Sequence, residues 1–248
     1  MKIFRDGYQR LDEKDIQILQ FVHEQYLGAW LHFKMLCEAE KPGQGRIHKL
    51  LKNGYLERRH WKEQNIHYFT LARKGLKSLQ NRHRRPDQLM PLYQVSESLN
   101  RRIGEHLKAG LLRMIFWKLG LKDWTSERVL RERDQKTYPV PTGNLSIVSK
   151  KIAMHFEESL KRSVKGCEKL FEDYTRAGYD EVWMIVGWDI PDFFRKAQDQ
   201  FRSLWPQVWF VSYETFIRKG DESIFCNHEG ASFLLRDFIT EVKGAPAK

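Results

Sequence analysis

Basic and hydrogen-bonding side chains are concentrated in one short part of this 248-residue chain. Residues 41–85 hold 13 lysines and arginines but only two acidic residues, Glu57 and Glu63. This block alone accounts for the formal net charge of +11, because the remainder of the chain sums to zero. A block of this kind is typical of a surface that contacts the phosphates of a polyanion, whereas charge that serves only solubility is scattered.

The helices before this block are predicted from apolar spacing and from turn residues. Asp12 is expected to cap a first helix that Gly28 ends. A second, short helix follows over 29–38, and the segment 41–45 (KPGQG) is expected to break the chain. The positions expected to face the core are Ile16, Leu19, Val22 and Tyr26 in the first helix and Leu31, Met35 and Leu36 in the second.

A third helix and a hairpin complete this region. Ile47, Leu50 and Leu51 share one side of the third helix, which Asn53 and Gly54 are expected to end. The hairpin is predicted to have strands at 55–59 and 66–71 and a polar tip at 61–65, and a further helix spans 72–82. Three helices, a hairpin and a helix are the order of a winged helix-turn-helix, which we predict as a first domain of residues 1–85.

In a winged helix-turn-helix the third helix enters the major groove of double-stranded DNA, and the hairpin lies along the backbone or the minor groove. We therefore expect the basic and hydrogen-bonding residues of these elements to form a DNA interface. They are Arg46, His48, Lys49, Lys52, Arg58, Arg59, Lys62, Arg73 and Lys74. Trp61 in the hairpin is either part of this interface or a packing residue.

Residues 92–248, which follow the proline-containing segment 81–91, predict an α/β domain with a mixed sheet. The fold class of the whole chain is therefore α+β. The end of the chain, 232–242, is ambiguous between helix and strand. The expected elements are a long helix at 95–118, strands at 124–131, 145–148 and 151–156, a helix over 160–174, a strand at 181–186, a helix from 189 and a strand at 209–212.

Glu127, Glu157 and Lys161 are the residues of this second domain that could carry catalysis. Carboxylates around a divalent cation neutralise a phosphate and activate water, and a lysine can hold the attacking hydroxide. The other interpretation is that they are solvated carboxylates and a helix cap. The pair Cys226 and His228 is weak support for zinc, because no CxxC motif accompanies it, and we expect neither a metal nor a cofactor.

Several segments share the pattern of one known family. LDEKDIQIL (11–19), RIHKLLKNGYLERR (46–59) and HYFTLARKGLKSL (67–79) match its first helix, its recognition helix with wing strand and its returning strand. SERVLR (126–131), PTGNLSI (141–147) and IAMHFEESLK (152–161) follow its later motifs. On these motifs, over about residues 9–190, the chain resembles the bacterial replication-relaxation family of plasmid- and mobile-element-associated proteins. The resemblance implies a winged helix followed by a restriction-endonuclease-like, PD-(D/E)xK-type domain.

The chain departs from that family pattern at two acidic positions. Thr142 stands where the pattern has Asp, and His155 stands where it has the first Glu of an E-x-E pair. Only Glu157 and Lys161 match, with Glu127 as a candidate third residue. Because two missing carboxylates would leave a metal ion poorly neutralised, we expect the second domain to be a catalytically inactive scaffold that holds DNA or forms a dimer interface.

The sequence therefore predicts a homodimeric protein that binds double-stranded DNA and acts in transcription control or in plasmid or mobile-element replication or mobilisation. The main alternative is a metal-dependent nuclease or nicking enzyme that uses Glu127, Glu157 and Lys161. A third hypothesis is an interaction module that binds RNA or an acidic protein. No apolar run approaches the roughly 20 residues that span a bilayer, and three widely spaced cysteines form no disulfide framework, so we expect a cytoplasmic protein without membrane contact.

Overall fold

The computed structural model of the protein describes residues 11–37, 42–82, 97–134, 140–147, 150–159, 164–197 and 208–244. The chain divides into two compact units, Met1–Leu111 and Leu112–Lys248. The division falls inside one long helix, Glu97–Lys118, which therefore contributes residues to both units. Most of the segment 81–91, where the sequence predicts a boundary, lies outside the described residues.

The described part of the first unit contains three helices, a two-stranded hairpin, a further helix and the start of a fifth. The helices are α1 (Glu13–Glu24), α2 (Trp30–Cys37), α3 (Pro42–Lys52), α4 (Arg73–Gln80) and α5 (Glu97–Lys118), and the strands are β1 (Leu56–Trp61) and β2 (Ile66–Leu71). This is the order of elements that the sequence predicts. The two strands are antiparallel, and a 3-10 turn at Lys62–Gln64 joins them.

The start of α1 confirms the predicted cap. The Asp12 side chain accepts a hydrogen bond from the Asp15 backbone N–H, and the Asp15 side chain accepts one from the Asp12 N–H, so the two form a capping box. Leu19 and Val22 are fully buried, as their spacing predicts. The helix ends at Glu24, however, and Tyr26 lies beyond it in a left-handed conformation with φ 70°.

Gly28 has a packing role and does not end the first helix. Its backbone N–H and C=O pair with the backbone of Phe69 on β2, and a Cβ at this position would lie 2.6 Å from the Phe33 ring. The prediction for α2 is wrong at Leu31, which is half exposed, because Phe33 and Leu36 occupy the inward side. The predicted break at 41–45 is too long, since α3 already begins at Pro42, a residue that the first turn of a helix tolerates.

The second unit is built on a seven-stranded sheet of mixed direction, in the order β3-β4-β5-β6-β7-β8-β9. The strands are β3 (Trp124–Ser126), β4 (Gly143–Ile147), β5 (Lys150–Glu157), β6 (Glu181–Val186), β7 (Val208–Ser212), β8 (Ile224–Cys226) and β9 (Ser232–Leu234). Strands β3, β4 and β5 form an antiparallel meander, β5, β6 and β7 are parallel, and β7, β8 and β9 are antiparallel. The mixed sheet and the α+β class are confirmed.

Helices cover both faces of this sheet. They are α6 (Glu127–Asp134), α7 (Val164–Arg176), α8 (Ile190–Ala197), α9 (Tyr213–Lys219) and α10 (Leu235–Gly244). One core contains Trp183 and Ile185 of β6 with side chains of α5, α9 and α10. The other contains Val182 and Met184, the alternate residues of the same strand, with side chains of α7 and α8. The second unit therefore has three layers, as expected for an α/β domain.

Three predictions for the second unit need correction. The strand predicted over 124–131 ends at Ser126, because Glu127 begins α6. The ambiguous segment 232–242 contains both a short strand, β9, and a helix, α10. The sequence prediction also lacks α9 and β8, which follow β7 directly.

Candidate nucleic-acid interface

The inner side of α3 is formed by the residues that the sequence predicts. Ile47 and Leu50 are fully buried, and Leu51 is partly buried. The helix stops at Asn53 and Gly54, where Gly54 has a φ of 70°, a conformation that glycine adopts without strain. The Asn53 side chain donates a hydrogen bond to the Lys49 carbonyl. One side of α3 is thus fixed in the core, and its polar residues are divided between two other sides.

One polar side of α3 is held by α1. Arg46 Nη1 lies 2.8 Å from Asp15 Oδ1 and is also hydrogen bonded to Asp12, and Lys49 Nζ lies 2.8 Å from Asp15 Oδ2. Asp15 is fully buried. The hydrogen bond that Arg46 donates to Asp12 lowers the pKa of Asp12 below the usual value of an aspartate. Two carboxylates and two cations leave this group without net charge, so Arg46 and Lys49 add little to the positive potential outside α3.

The other polar side of α3 carries His48 and Lys52, which are both exposed. The His48 ring lies 5.7 Å from the ring of Trp30 on α2, and Trp30 in turn packs edge-on against Phe69 of the hairpin. Lys52 has no ion pair among the described residues. This side of α3 is therefore available to a ligand and continues toward the hairpin.

The two faces of the hairpin differ in what they contact. On one face, Arg59 donates to Glu57 and to Thr70, at 2.8 and 3.3 Å. Trp61 lies on this same face and packs on a small cluster that includes residues of α5. The cluster consists of Leu27, Tyr68 and Ile103, and Leu107 packs against it beside Trp61. Trp61 thus packs within the first unit, which favours the second of the two interpretations that the sequence leaves open.

The other face of the hairpin is buried at one end, where Leu56, Phe69 and Leu71 lie in the core, and its β1 side chains become exposed toward the tip. Arg58 is paired across the strands with Phe69, and His60 with His67, whose ring centroids are 4.8 Å apart. Arg58 and Lys62 are both exposed and have no ion pair within the described part of the chain. This half of the hairpin presents positive charge that nothing in the described unit neutralises.

Helix α4 supplies the last of the predicted residues. Arg73, in its first turn, is exposed and makes no ion pair with any described residue. The Lys74 ammonium lies over the Tyr55 ring, 4.7 Å from its centre. Lys77, one turn after Arg73, is also exposed, although the sequence interpretation did not include it in the interface.

The nine predicted residues thus fall into separate groups. Lys52, Arg58, Lys62 and Arg73 are exposed cations on α3, β1, the hairpin tip and α4. Arg46, Lys49 and Arg59 are engaged with carboxylates of the same unit, while Lys74 lies over an aromatic ring and the exposed His48 lies beside one. The role of Asp12 and Asp15 was not anticipated, because acidic residues in the first turn of α1 are explained by capping alone.

The backbone at Glu127 and the backbone next to Glu157 both contact Thr142. The Glu127 backbone N–H donates to the Thr142 carbonyl at 3.1 Å, and the Thr142 hydroxyl accepts from the backbone of Phe156, the residue before Glu157. Glu127 and Glu157 are both buried. The start of α6 and the end of β5 thus both contact Thr142, while Lys161 lies outside the described residues.

The chemistry of this carboxylate region differs from that of an open metal site. Arg131 donates two hydrogen bonds to Glu127 Oε1, at 2.7 and 2.9 Å, and so neutralises that carboxylate. His155 is hydrogen bonded to the buried Tyr174 hydroxyl at 2.9 Å. Within the described residues there is no group of three or more histidines, cysteines or acidic residues that could hold a metal ion.

The Cys226 and His228 pair has structural surroundings. The Cys226 thiol lies 3.6 Å from the Phe210 carbonyl, and burial raises its pKa. The Asn227 side chain between them accepts hydrogen bonds from the backbone of Glu229 and Ala231 and so closes the turn that joins β8 and β9. Among the helices of the described segments, none combines the length and apolar character needed to cross a membrane.

Comparison with known proteins provides no relative from which a site could be transferred. No protein-family model matches the chain, and neither the curated proteins nor the solved structures contain a significant match. The assignment of a site therefore depends on the geometry of the chain itself.

Proposed function

We propose that the first unit is a winged helix-turn-helix that binds double-stranded DNA, with α3 in the major groove and the β1-β2 hairpin beside it as the wing. The observation that carries this proposal is the placement of three exposed cations, Lys52, Arg58 and Lys62, on α3 and the hairpin, the elements that face DNA in such a module, with a fourth, Arg73, at the start of the helix that follows. They have no acidic partner among the described residues, so a polyanion would meet their full charge.

The neutralised residues support the same proposal in a different way. Arg46 and Lys49 join α3 to α1 through Asp15, which fixes the direction of the helix that would enter the groove. Trp61 fixes the hairpin on α5 through contacts that include Gly104, because a Cβ there would lie 3.0 Å from the Trp61 ring. Both contacting elements are therefore held rigidly before DNA binds, which reduces the entropy lost on binding.

The binding itself is tested with a labelled duplex of about 20 base pairs and a variant in which Lys52, Arg58, Lys62 and Arg73 are all alanine. We expect the affinity to fall by at least about a hundredfold at low salt, because each lost phosphate contact removes counterion release. The matched control is Arg218→Ala with Lys219→Ala, two exposed cations of α9 in the second unit. Equal affinities for wild type and the four-residue variant would contradict the proposal.

For the second unit we infer a restriction-endonuclease-like domain that does not cleave DNA. The antiparallel meander β3-β4-β5, followed by α7 and the parallel strand β6, supports this fold. Thr142 in place of an aspartate, and the Arg131 guanidinium on Glu127, support the loss of cleavage, since a cation would find little uncompensated negative charge there.

A role in transcription control, or in replication or mobilisation of a plasmid or mobile element, follows from the DNA binding and from the resemblance to the replication-relaxation family. We infer that the protein acts as a homodimer, because one winged helix contacts only a short DNA site and a second copy increases both affinity and specificity. Light scattering after gel filtration tests the oligomeric state, and a palindromic sequence selected from random duplexes would agree with a dimer. A monomer at working concentration that selects a single half-site would contradict it.

A further inference from the structure

We propose that Gln44, Gly45 and His48 are the residues of α3 that determine the DNA sequence, and that a base pair approaches the helix backbone at Gly45. This inference rests on the proposed DNA binding and specifies which side of α3 meets the base edges. It adds two residues, Gln44 and Gly45, that belong to none of the groups described above.

The position of these residues follows from helix geometry. Successive residues of an α-helix are rotated by about 100°, so Gly45 and Lys52 lie opposite the buried pair Ile47 and Leu50. Gln44, Gly45, His48 and Lys52 are all exposed, whereas Arg46 and Lys49 lie toward α1 and its carboxylates. Gly45 and Lys52 therefore form the outermost line of α3, His48 lies beside this line, and Gln44 lies on the flank of the first turn on the same side as His48.

Gly45 is unusual because neither its backbone nor its packing requires glycine. Its φ is not in the left-handed region, and a Cβ placed on it would meet no described atom within 4 Å. Glycine weakens a helix relative to alanine, so its presence at an exposed helical position works against the stability of α3. A base pair or sugar that must come close to the helix backbone would require this position to lack a side chain.

The side chains beside Gly45 can distinguish base pairs. A glutamine amide can donate from its NH2 group to N7 of adenine and accept with its oxygen from the N6 amino group, in the bidentate pairing known from the major groove, and a histidine N–H can donate to the N7 or O6 of guanine. The Trp30 ring, 5.7 Å away, restricts the directions that His48 can take. Neither side chain adds to the phosphate attraction that Lys52 provides, so they can affect sequence preference with little effect on general affinity.

The Gly45→Ala variant gives the first test, because the two effects expected of it have opposite signs. We expect its Tm to rise by about 2–4 °C and its affinity for the preferred duplex to fall by about tenfold, since the new methyl group occupies the space of the base pair. Gly244→Ala is the matched control. Gly244 is the exposed last residue of α10, and a Cβ placed on it would also meet no described atom within 4 Å. It should leave the affinity unchanged. A lower Tm for Gly45→Ala, or an unchanged affinity, would overturn the proposal.

The second test compares base preferences of duplexes selected from a random pool. In each of His48→Ala and Gln44→Ala, the preference for one base pair over the others at a single position should fall by about tenfold. The affinity of both variants for unrelated duplex should stay within about twofold of wild type. Lys52→Ala should weaken all duplexes alike. Unchanged preferences in both variants would overturn the assignment of Gln44 and His48 but leave the proposed DNA binding intact. A wild-type chain that binds no duplex would overturn both.

Discussion

The carboxylate of Asp15 on α1 lies 2.8 Å from the guanidinium of Arg46 on α3, and Asp15 is fully buried. Lys49 Nζ, one turn further along α3, lies at the same distance from the second oxygen of this carboxylate. Asp15 in the first turn of α1 and the first two cations of α3 thus form one ion-pair group. Residues with the composition of a phosphate-binding site serve here to hold one helix against another.

Asp15→Asn tests the importance of this ion-pair group for stability. Its loss leaves Arg46 and Lys49 without their shared partner, and because both cations are partly exposed we expect a decrease of about 2–3 kcal/mol in the free energy of unfolding. Urea denaturation measures it, with the exposed Glu13→Gln of the same helical turn as the control. If Asp15 affected DNA binding only through its negative charge, and not by holding α3 against α1, Asp15→Asn should tighten DNA binding. Tighter binding with unchanged stability would contradict the structural role.

Trp61→Ala tests whether this residue serves packing. The side chain fills a space between the hairpin and α5, next to Tyr68 and Ile103, and its loss should lower the free energy of unfolding by about 2 kcal/mol. The control is Ile66→Ala, at the position paired with Trp61 across the strands, because Ile66 is exposed and should change stability by less than about 0.5 kcal/mol. Loss of DNA affinity in Trp61→Ala without any loss of stability would place Trp61 in the interface instead.

His32 predicts a dependence of stability on pH. Its ring is buried between the Ala29 N–H and the Leu107 carbonyl of α5, and burial lowers its pKa from 6.5 to about 4. As the pH falls below 6.5 the unfolded chain takes up a proton on this residue before the folded chain does. Stability from this group is therefore complete above pH 6.5 and is lost toward pH 4, by about 3 kcal/mol in total.

The measurement for His32 is the difference between wild type and His32→Gln in unfolding free energy at several pH values. Carboxylates titrate in the same range in both proteins, so only the difference reports on His32. We expect the variant to be less stable near pH 7 and the gap to close as the pH approaches 4. A gap that stays constant with pH would show that His32 is not held neutral in the folded state.

Supercoiled plasmid tests the second unit for cleavage. With magnesium or manganese present, we expect no nicking above the level of a protein-free sample, because Arg131 compensates Glu127 and Thr142 provides no carboxylate. The comparison protein is Glu157→Gln. Nicking by wild type that disappears in Glu157→Gln would establish the nuclease alternative in place of an inactive domain.

Local signals in the sequence predict much of the fold. Strands β2 and β6 have the bounds expected from their apolar residues, and Asp12 and Gly54 mark the ends of helices as predicted. The error at 124–131 has a physical cause, because Trp124, Thr125 and Val129 are residue types that favour strands, while a glutamate at 127 favours a helix N-terminus.

The division of the basic residues could not be predicted in the same way. The composition of 46–59 places Arg46, Lys49 and Lys52 in one group, and only the position of α1 shows that two of them meet a buried aspartate. The same holds for Trp61, whose packing depends on α5, about 40 residues later in the chain. Contacts between distant elements are set by tertiary packing, which neither residue spacing nor charge reveals.

The salt dependence of duplex binding tests the central claim most directly. If Lys52, Arg58, Lys62 and Arg73 contact phosphates, the logarithm of the binding constant should fall linearly with the logarithm of salt concentration, and the slope should become less steep by about 3 to 4 when all four are alanine. Replacing Arg46 and Lys49 should change this slope by less than about 1, because Asp12 and Asp15 already neutralise them. A wild-type affinity that does not change with salt, or an equal slope in the four-residue variant, would contradict the proposed interface.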